Sequence, residues 1–279
     1  MFECSLKEVG VLKNIIDVLT SIIDEAANFM AKPEGFGIIA MDPSHVSMID
    51  FFLPKDVFET YKCDSKVKIG VNIGNLNKLL KRVGSSDELT LKLGEKGNKL
   101  QLKFKGKVTR TFSINLIDLE EEEYPSPKMQ FNAKVILNDP NLLSEAIKDA
   151  ELFSDHVKLD SETNKFTVFA KGDNGEVEVE IPSEREAITL EVKENSSSLY
   201  PLSYLTNIIK IGSVTDNLTL EYSSEMPMVM LFKLKKIGEA SGYMKYFLAP
   251  RVEGEEEEEE FEEEVSDEEI DEEDIEEEE

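Results

Sequence analysis

Two histidines, His45 and His156, and two cysteines, Cys4 and Cys63, are all that the 279 residues offer for nucleophile–base chemistry. An activated serine or cysteine needs an imidazole within reach and a third group to orient it. Neither histidine stands in a nucleophile-elbow or protease-like context. The cysteines lie far apart and outside any CxxC, a pattern that points to reduced thiols buried in strands more than to a disulfide or a metal site. Residues 94–99 (GEKGNK) combine Gly and Lys as a phosphate loop does, but they lack the GxxxxGK[ST] spacing and sit between strand segments, so they read as a hairpin turn. With 59 Asp and Glu in the chain, no two carboxylates single themselves out as an acid–base pair. Nothing in these residues asks for an enzyme, a metal or a cofactor.

The elements that would carry such residues are duplicated. Segments 71–91 (VNIGNLNKLLKRVGSSDELTL) and 200–220 (YPLSYLTNIIKIGSVTDNLTL) align without a gap, placing Leu76 on Leu205, Lys81 on Lys210 and Asp87 on Asp216. Leu12, Ile15, Ile16, Leu19 and Ile22 likewise overlay Leu143, Ala146, Ile147, Ala150 and Phe153. Fixed-period self-similarity decides architecture, so two like domains are expected. Apolar residues at three- and four-residue steps predict amphipathic helices with one wet face. Asp139 and Pro140 read as N-cap and first helical residue, because Pro lacks an N–H that would be unsatisfied there anyway. Period-two alternation predicts strands over 99–104, 110–116, 165–170 and 176–181. Each half should run strand, helix, several strands, helix, strands, as an α+β layering of helices on antiparallel sheets.

Of the 59 acidic residues, 21 fall within 253–279, which contains no Lys or Arg. Like-charge repulsion and scarce apolar surface predict a disordered tail. Without it, 38 acidic residues face 31 basic ones, so the body is only mildly acidic. No apolar run approaches the roughly 20 residues that span a bilayer, and the first ten residues lack a signal-peptide pattern. A soluble intracellular protein is the expectation.

Segments 35–58 (GFGIIAMDPSHVSMIDFFLPKDVF) and 62–80 (KCDSKVKIGVNIGNLNKLL) carry a more specific signal. With MDxSHV at 41–46, YKCD at 61–64, GVN at 70–72 and FLAP at 247–250, the chain resembles the proliferating cell nuclear antigen family of DNA sliding clamps, in its archaeal form. The resemblance runs from Met1 to Pro250. It implies duplicated DNA-clamp domains, with antiparallel sheets outside and helices lining the pore of a pseudo-six-fold trimeric ring. The domains would span 1–117 and 129–252, joined by a connecting loop at 118–128 and followed by the acidic tail at 253–279.

The family's pore-lining basic positions fall on Lys13, Lys78, Lys81, Lys148 and Lys210, with Arg82 nearby. Exposed lysines on wet helix faces are also the ordinary default. Asp17, Asp24, Glu145, Asp149 and Glu151 lie on the same helices, and Leu152 and Ser203 are uncharged, so weak, salt-dependent, sequence-independent contact with encircled duplex DNA is expected. Subunits would join head to tail along Glu176, Glu178 and Glu180 on one strand and Lys107 and Arg110 at the start of another, although alternating Glu also suits a solvated face. Met41, His45, Val46, Met48, Pro227, Phe247, Leu248, Ala249 and Pro250 match the family's pocket for a short peptide motif with a Gln, an aliphatic and two aromatics. Plain core packing is the other reading of Met41 and Met48.

The resemblance thus implies a non-enzymatic processivity factor. Its partners would be DNA polymerase, clamp loader, ligase and flap nuclease, with no membrane, and its home the cytoplasm and nucleoid if archaeal or the nucleus if eukaryotic. A homotrimer is expected and a heterotrimer stays open. Alternatives are a checkpoint-type or heterotrimer-specific clamp subunit and, from another class, an acidic-tailed chaperone of basic proteins.

Overall fold

The computed structural model describes residues 1–23, 25–84, 86–120, 124, 129–183 and 186–251. In the first half the order is β1 (Phe2–Leu6), α1 (Val9–Leu19), β2 (Ala26–Lys32), β3 (Gly35–Met41), β4 (Ser47–Pro54), β5 (Thr60–Cys63), β6 (Val67–Asn72), α2 (Ile73–Leu80), β7 (Glu88–Leu93), β8 (Lys99–Lys105) and β9 (Thr109–Asn115). The second half repeats it element for element: β10 (Ala133–Leu137), α3 (Asn141–Ala150), β11 (His156–Ser161), β12 (Lys165–Gly172), β13 (Gly175–Pro182), β14 (Ile188–Val192), β15 (Ser196–Pro201), α4 (Leu202–Ile208), β16 (Thr215–Tyr222), β17 (Met228–Leu234) and β18 (Tyr243–Leu248). Asp24, most of the 118–128 connector and the acidic segment lie outside the described residues.

The strands form three antiparallel sheets, ordered β5-β1-β7-β8-β9, β14-β10-β16-β17-β18-β4-β3-β2-β6, and β13-β12-β11-β15. The nine-stranded sheet crosses from one half to the other where β18 pairs with β4, Leu248 opposite Ser47 and Tyr243 opposite Phe52. In repeat terms β4 corresponds to β13 and β9 to β18. The large sheet is therefore the five-stranded unit of the second repeat fused to the four-stranded unit of the first, and the other five-stranded and four-stranded units remain separate sheets.

Helix faces follow the sequence pattern. Leu12, Ile16 and Leu76 in the first half and Leu143, Ile147 and Leu205 in the second are buried in one apolar core, and each such side chain contributes about 1.5–3 kcal/mol. The helices lie against one another, α2 on α1 and α3 on α4, and α1 also meets the 3₁₀ helix Ile209–Val214 across the domain junction. That 3₁₀ segment departs from the expected repeat of α2: α4 stops at Ile208, where a run of β-branched isoleucines leads into Gly212, both weak in an α-helix. At the start of α3, Pro140 has helical dihedrals and the Asp139 carboxylate accepts the Asn141 N–H at 3.0 Å, as its sequence suggests.

Residues 94–99 form the β7–β8 turn, with Gly97 at φ 67° and its N–H donating to the Gly94 carbonyl at 2.8 Å. Cys4 is buried in β1, and burial raises its thiol pKa strongly. Cys63, at the edge strand β5, is only half-buried, a departure from the expected burial of both; each is a free thiol. No described helix is long and apolar enough to cross a membrane.

Candidate functional site

Three surfaces collect the residues singled out by sequence. The first is the solvent side of the helix layer. Lys78 on α2, Lys81 and Arg82 just beyond it, Lys148 on α3 and Lys210 on the 3₁₀ helix are exposed, and Lys13 on α1 is half-buried. Lys13, Lys78 and Arg82 make no ion pair among the described residues. Two others are engaged: Lys81 Nζ lies 2.6 Å from Asp17 Oδ1, and Lys148 Nζ lies 2.8 Å from Glu145 Oε1. Lys210 Nζ donates to Asn207 Oδ1 at 3.0 Å. The hydrogen bonds from Lys81 and Asn77, and the field of Lys210, hold the Asp17 carboxyl below the usual range. The surface thus interleaves cations with carboxylates. Leu152, 74% exposed, adds an uncharged position.

The second surface comprises two open sheet edges. β9 ends the five-stranded sheet and β13 ends the four-stranded one, so each presents an unpaired row of backbone N–H and C=O groups. Glu176, Glu178 and Glu180 are exposed on β13, with Val177 and Val179 packed inward. Lys165 reaches Glu180 at 3.3 Å. Lys107 is exposed in the turn before β9, whereas Arg110 lies within that strand and is bound inside its own chain. Its Nη2 donates to Asp87 Oδ2 at 2.6 Å and its guanidinium stands 5.6 Å from the centre of the Phe104 ring. Asp87 also accepts the Gly84 N–H, a constellation that separation in sequence concealed.

The third surface is the face of the large sheet turned away from the helices. Cross-strand register places Met41 opposite Met48, Met48 opposite Phe247, and Phe247 opposite Val229, a row of four apolar side chains over four strands that spans the domain junction. The next row sets Ile39 opposite Asp50 and Asp50 opposite Lys245. Burial raises the Asp50 carboxyl above the usual range, while Lys245 and Tyr243 pull it the other way. Ile39 is 47% exposed. Nothing in the β3 sequence GFGIIAM distinguishes its outward isoleucine from its inward one, so only the register could reveal it.

A cleft of about 680 Å³ borders this face, lined by Met41, His45, Ile39 and Met30 on one side and by Leu119 and Tyr124 of the connector on the other. The connector is held along the sheet: Lys68 Nζ donates to the Leu119 carbonyl, and Asn28 Nδ2 to that of Glu120 at 3.0 Å. It passes so close to β6 that a Cβ on Gly70 would lie 2.1 Å from the Ile117 carbonyl oxygen. Of the nine residues expected in the pocket, Met41 and His45 line this cleft. Val46 and Ala249 are joined by a backbone bond at 2.9 Å, and Phe247 and Pro250 are half-buried beside them. Pro227 is exposed in the loop before β17. Leu248 is fully buried among core residues: alternation along β18 turns it to the face opposite Phe247, so it departs from the expected pocket lining.

His45 adopts φ 59° in the β3–β4 hairpin, where Asp42 accepts the N–H groups of Ser44 and Ser47 and the hydroxyl of Tyr204 at 3.2 Å. His156 meets the Arg251 guanidinium at 2.8 Å. The two imidazoles thus serve a turn and the segment that follows β18. Among the described residues no cluster of His, Cys, Asp and Glu could hold a metal ion.

Comparison with known proteins agrees with this geometry. The N-terminal domain family of proliferating cell nuclear antigen matches residues 1–124, and its C-terminal domain family matches residues 126–251. The DNA polymerase sliding clamp of Pyrococcus abyssi is 39% identical over 253 residues, 90% of this chain and 99% of the relative. That of Thermococcus gammatolerans is 40% identical over the same shares. A crystal structure of PCNA from Thermococcus kodakaraensis superimposes with TM-score 0.82 at 26% identity, covering 90% of this chain and all of the other. Two clamp domains in tandem, a sheet fused across their junction and relatives matched over nearly their whole length place this chain in the proliferating cell nuclear antigen family.

Proposed function

We infer that this chain is a DNA polymerase sliding clamp, a non-catalytic processivity factor that encircles duplex DNA and tethers polymerase to it. The observation that carries the reading is the sheet fused at β18 and β4. Its repeat equivalents, β9 and β13, are open edges of the two smaller sheets, one in each half. Pairing β9 of one subunit with β13 of the next would satisfy both rows of backbone groups and recreate the internal junction between chains. Charge supports that pairing. Inside the chain an acid on β4, Asp50, faces a base on β18, Lys245; between chains the Glu176, Glu178 and Glu180 row would approach the Lys107 side of β9. Each subunit would supply two domains, three subunits would make six, and a head-to-tail contact that repeats itself closes into a ring.

The helix layer would then line the hole. Lys13, Lys78, Lys81, Arg82, Lys148 and Lys210 would contact phosphates without reading sequence. Because carboxylates share that surface, the grip would be weak and salt-dependent, which suits a ring held on DNA by topology. On the outside, the row through Met41, Met48 and Phe247 and the cleft beside it would receive a short peptide motif carried in turn by polymerase, ligase, flap nuclease and clamp loader. Methionine-rich linings adapt to different occupants. Such a clamp would work in the cytoplasm at the nucleoid. The relatives named above give no support to a checkpoint subunit or a chaperone of basic proteins.

Loading onto nicked circular DNA tests the reading. A clamp stays on the closed circle through gel filtration and is lost when the circle is cut, whereas retention after linearisation, or no retention on the circle, overturns it. Light scattering of this chain alone distinguishes a homotrimer from a subunit that needs paralogues.

A further inference from the structure

The two repeats treat the same helix position oppositely. Leu12 and Ile16 overlay Leu143 and Ile147, so position 17 overlays 148, and aspartate in the first repeat becomes lysine in the second. Lys148 finds its counter-charge one turn away on its own helix, Glu145. Asp17 finds its counter-charges on other elements. Its Oδ1 accepts from Asn77 Nδ2 at 2.8 Å and meets Lys81 Nζ at 2.6 Å. Asn77 is only 6% exposed and its amide also approaches Thr20 Oγ1 at 3.4 Å, so a buried side chain fixes where the carboxylate sits. Across the domain junction, where α1 meets the 3₁₀ helix, the Lys210 charge acts on the same carboxylate. Lys81 and Lys210 are the repeat-related pair. One acidic group on α1 therefore holds Lys81 directly, whereas the equivalent Lys210, whose Nζ donates to Asn207, acts on it only through its field.

We propose that Asp17 sets the strength of the DNA grip by withholding Lys81 from phosphate. A lysine held at 2.6 Å by a carboxylate must give up that partner before it can neutralise a phosphate, and the carboxylate left behind repels the same phosphate. The consequence is a ring that neutralises fewer phosphates per subunit than its lysine count implies, and lower friction along the duplex. This inference rests on the helix layer lining the DNA-filled hole.

The test uses the intact chain and a labelled linear duplex, with affinity measured across a salt series for wild type, Asp17→Asn, Lys81→Ala and the double variant. Asn keeps the size of the side chain and an oxygen for Asn77 while removing the charge. Asp17→Asn should tighten binding at low salt and steepen the slope of log affinity against log salt by about 0.9 for each lysine freed. That is an extra weakening of about 3.5-fold per freed lysine between 50 and 200 mM salt. Most of the low-salt tightening should vanish in the Lys81→Ala background, and light scattering should find assembly unchanged. If Asp17→Asn matches wild type while Lys81→Ala weakens binding, the proposal is overturned and the pore assignment stands. Equal tightening with and without Lys81 overturns it too, since Asp17 would then act only as a bare repulsive charge. If Lys81→Ala changes duplex binding neither in the wild-type nor in the Asp17→Asn background, the pore assignment itself fails.

Discussion

The two halves of the chain share their element order but differ in where they place charge and leave edges open. In the first half Asp87 is buried and binds Arg110; its repeat equivalent, Asp216, is exposed. Asp17 opposes Lys148 in sign at one position. β18 of the second half is paired with β4, while β9 of the first half, its counterpart, has no neighbour on its outer side among the described residues. A duplicated domain keeps the core that both copies need, because Leu76 and Leu205, or Ile16 and Ile147, fill the same place in the same packing. Surface positions are free to diverge, since surface changes cost little stability. The differences therefore mark where one copy has a task that the other lacks.

The sharpest way to break the comparison is at the open edge. Reversing Glu176, Glu178 and Glu180 to Lys should dissociate the proposed ring, because like charges across a contact cost on the order of several kcal/mol. The internal β18–β4 junction should leave the monomer folded. Light scattering that still reports a trimer at micromolar concentration would place the intersubunit contact elsewhere.

Next in size, Met41→Ala with Phe247→Ala removes two members of the apolar row that crosses the junction. Truncating anchors in a desolvated pocket typically costs about 2 kcal/mol or more each, so calorimetry with a motif peptide should find binding abolished. Wild-type affinity would show that the groove lies elsewhere on the sheet.

Smaller again is the effect of Lys81→Ala with Lys210→Ala, the repeat-related pair, made in the Asp17→Asn background, where no carboxylate at position 17 withholds either lysine. Each phosphate that a lysine no longer neutralises should lower the salt slope of duplex binding by roughly 0.9 while assembly persists. An unchanged slope would sever the two helix pairs from DNA.

The smallest effect is on acid stability. Because the folded Asp17 carboxyl is held below its usual value, its contribution to stability is complete above about pH 3.9 and is lost as pH falls through the depressed value. With the side chain half exposed, screening keeps that contribution to about 0.5 kcal/mol. Denaturant unfolding should therefore find Asp17→Asn slightly less stable near neutrality and indistinguishable in acid. A difference that persists at low pH would mean that Asp17 acts through packing.

Sequence by itself determined the duplication, the amphipathic faces of α1 to α4 and the alternation of β8, β9, β12 and β13, because each is a local pattern written at a period of 2 or 3.6 residues. It also placed the turn at 94–99 and the Asp139 cap, which depend on neighbours along the chain. The tertiary structure alone decided which strand edges stay open, because pairing joins residues far apart, such as Leu248 with Ser47. It decided that Ile39 faces outward and Leu248 inward, since in a strand of apolar residues only the register assigns faces. It turned Arg110 back onto Asp87 and Lys81 onto Asp17, partners 23 and 64 residues away by their numbers. Charge pairing is a matter of distance in space, and a lysine's freedom to meet a phosphate is settled by the carboxylate that folding brings beside it.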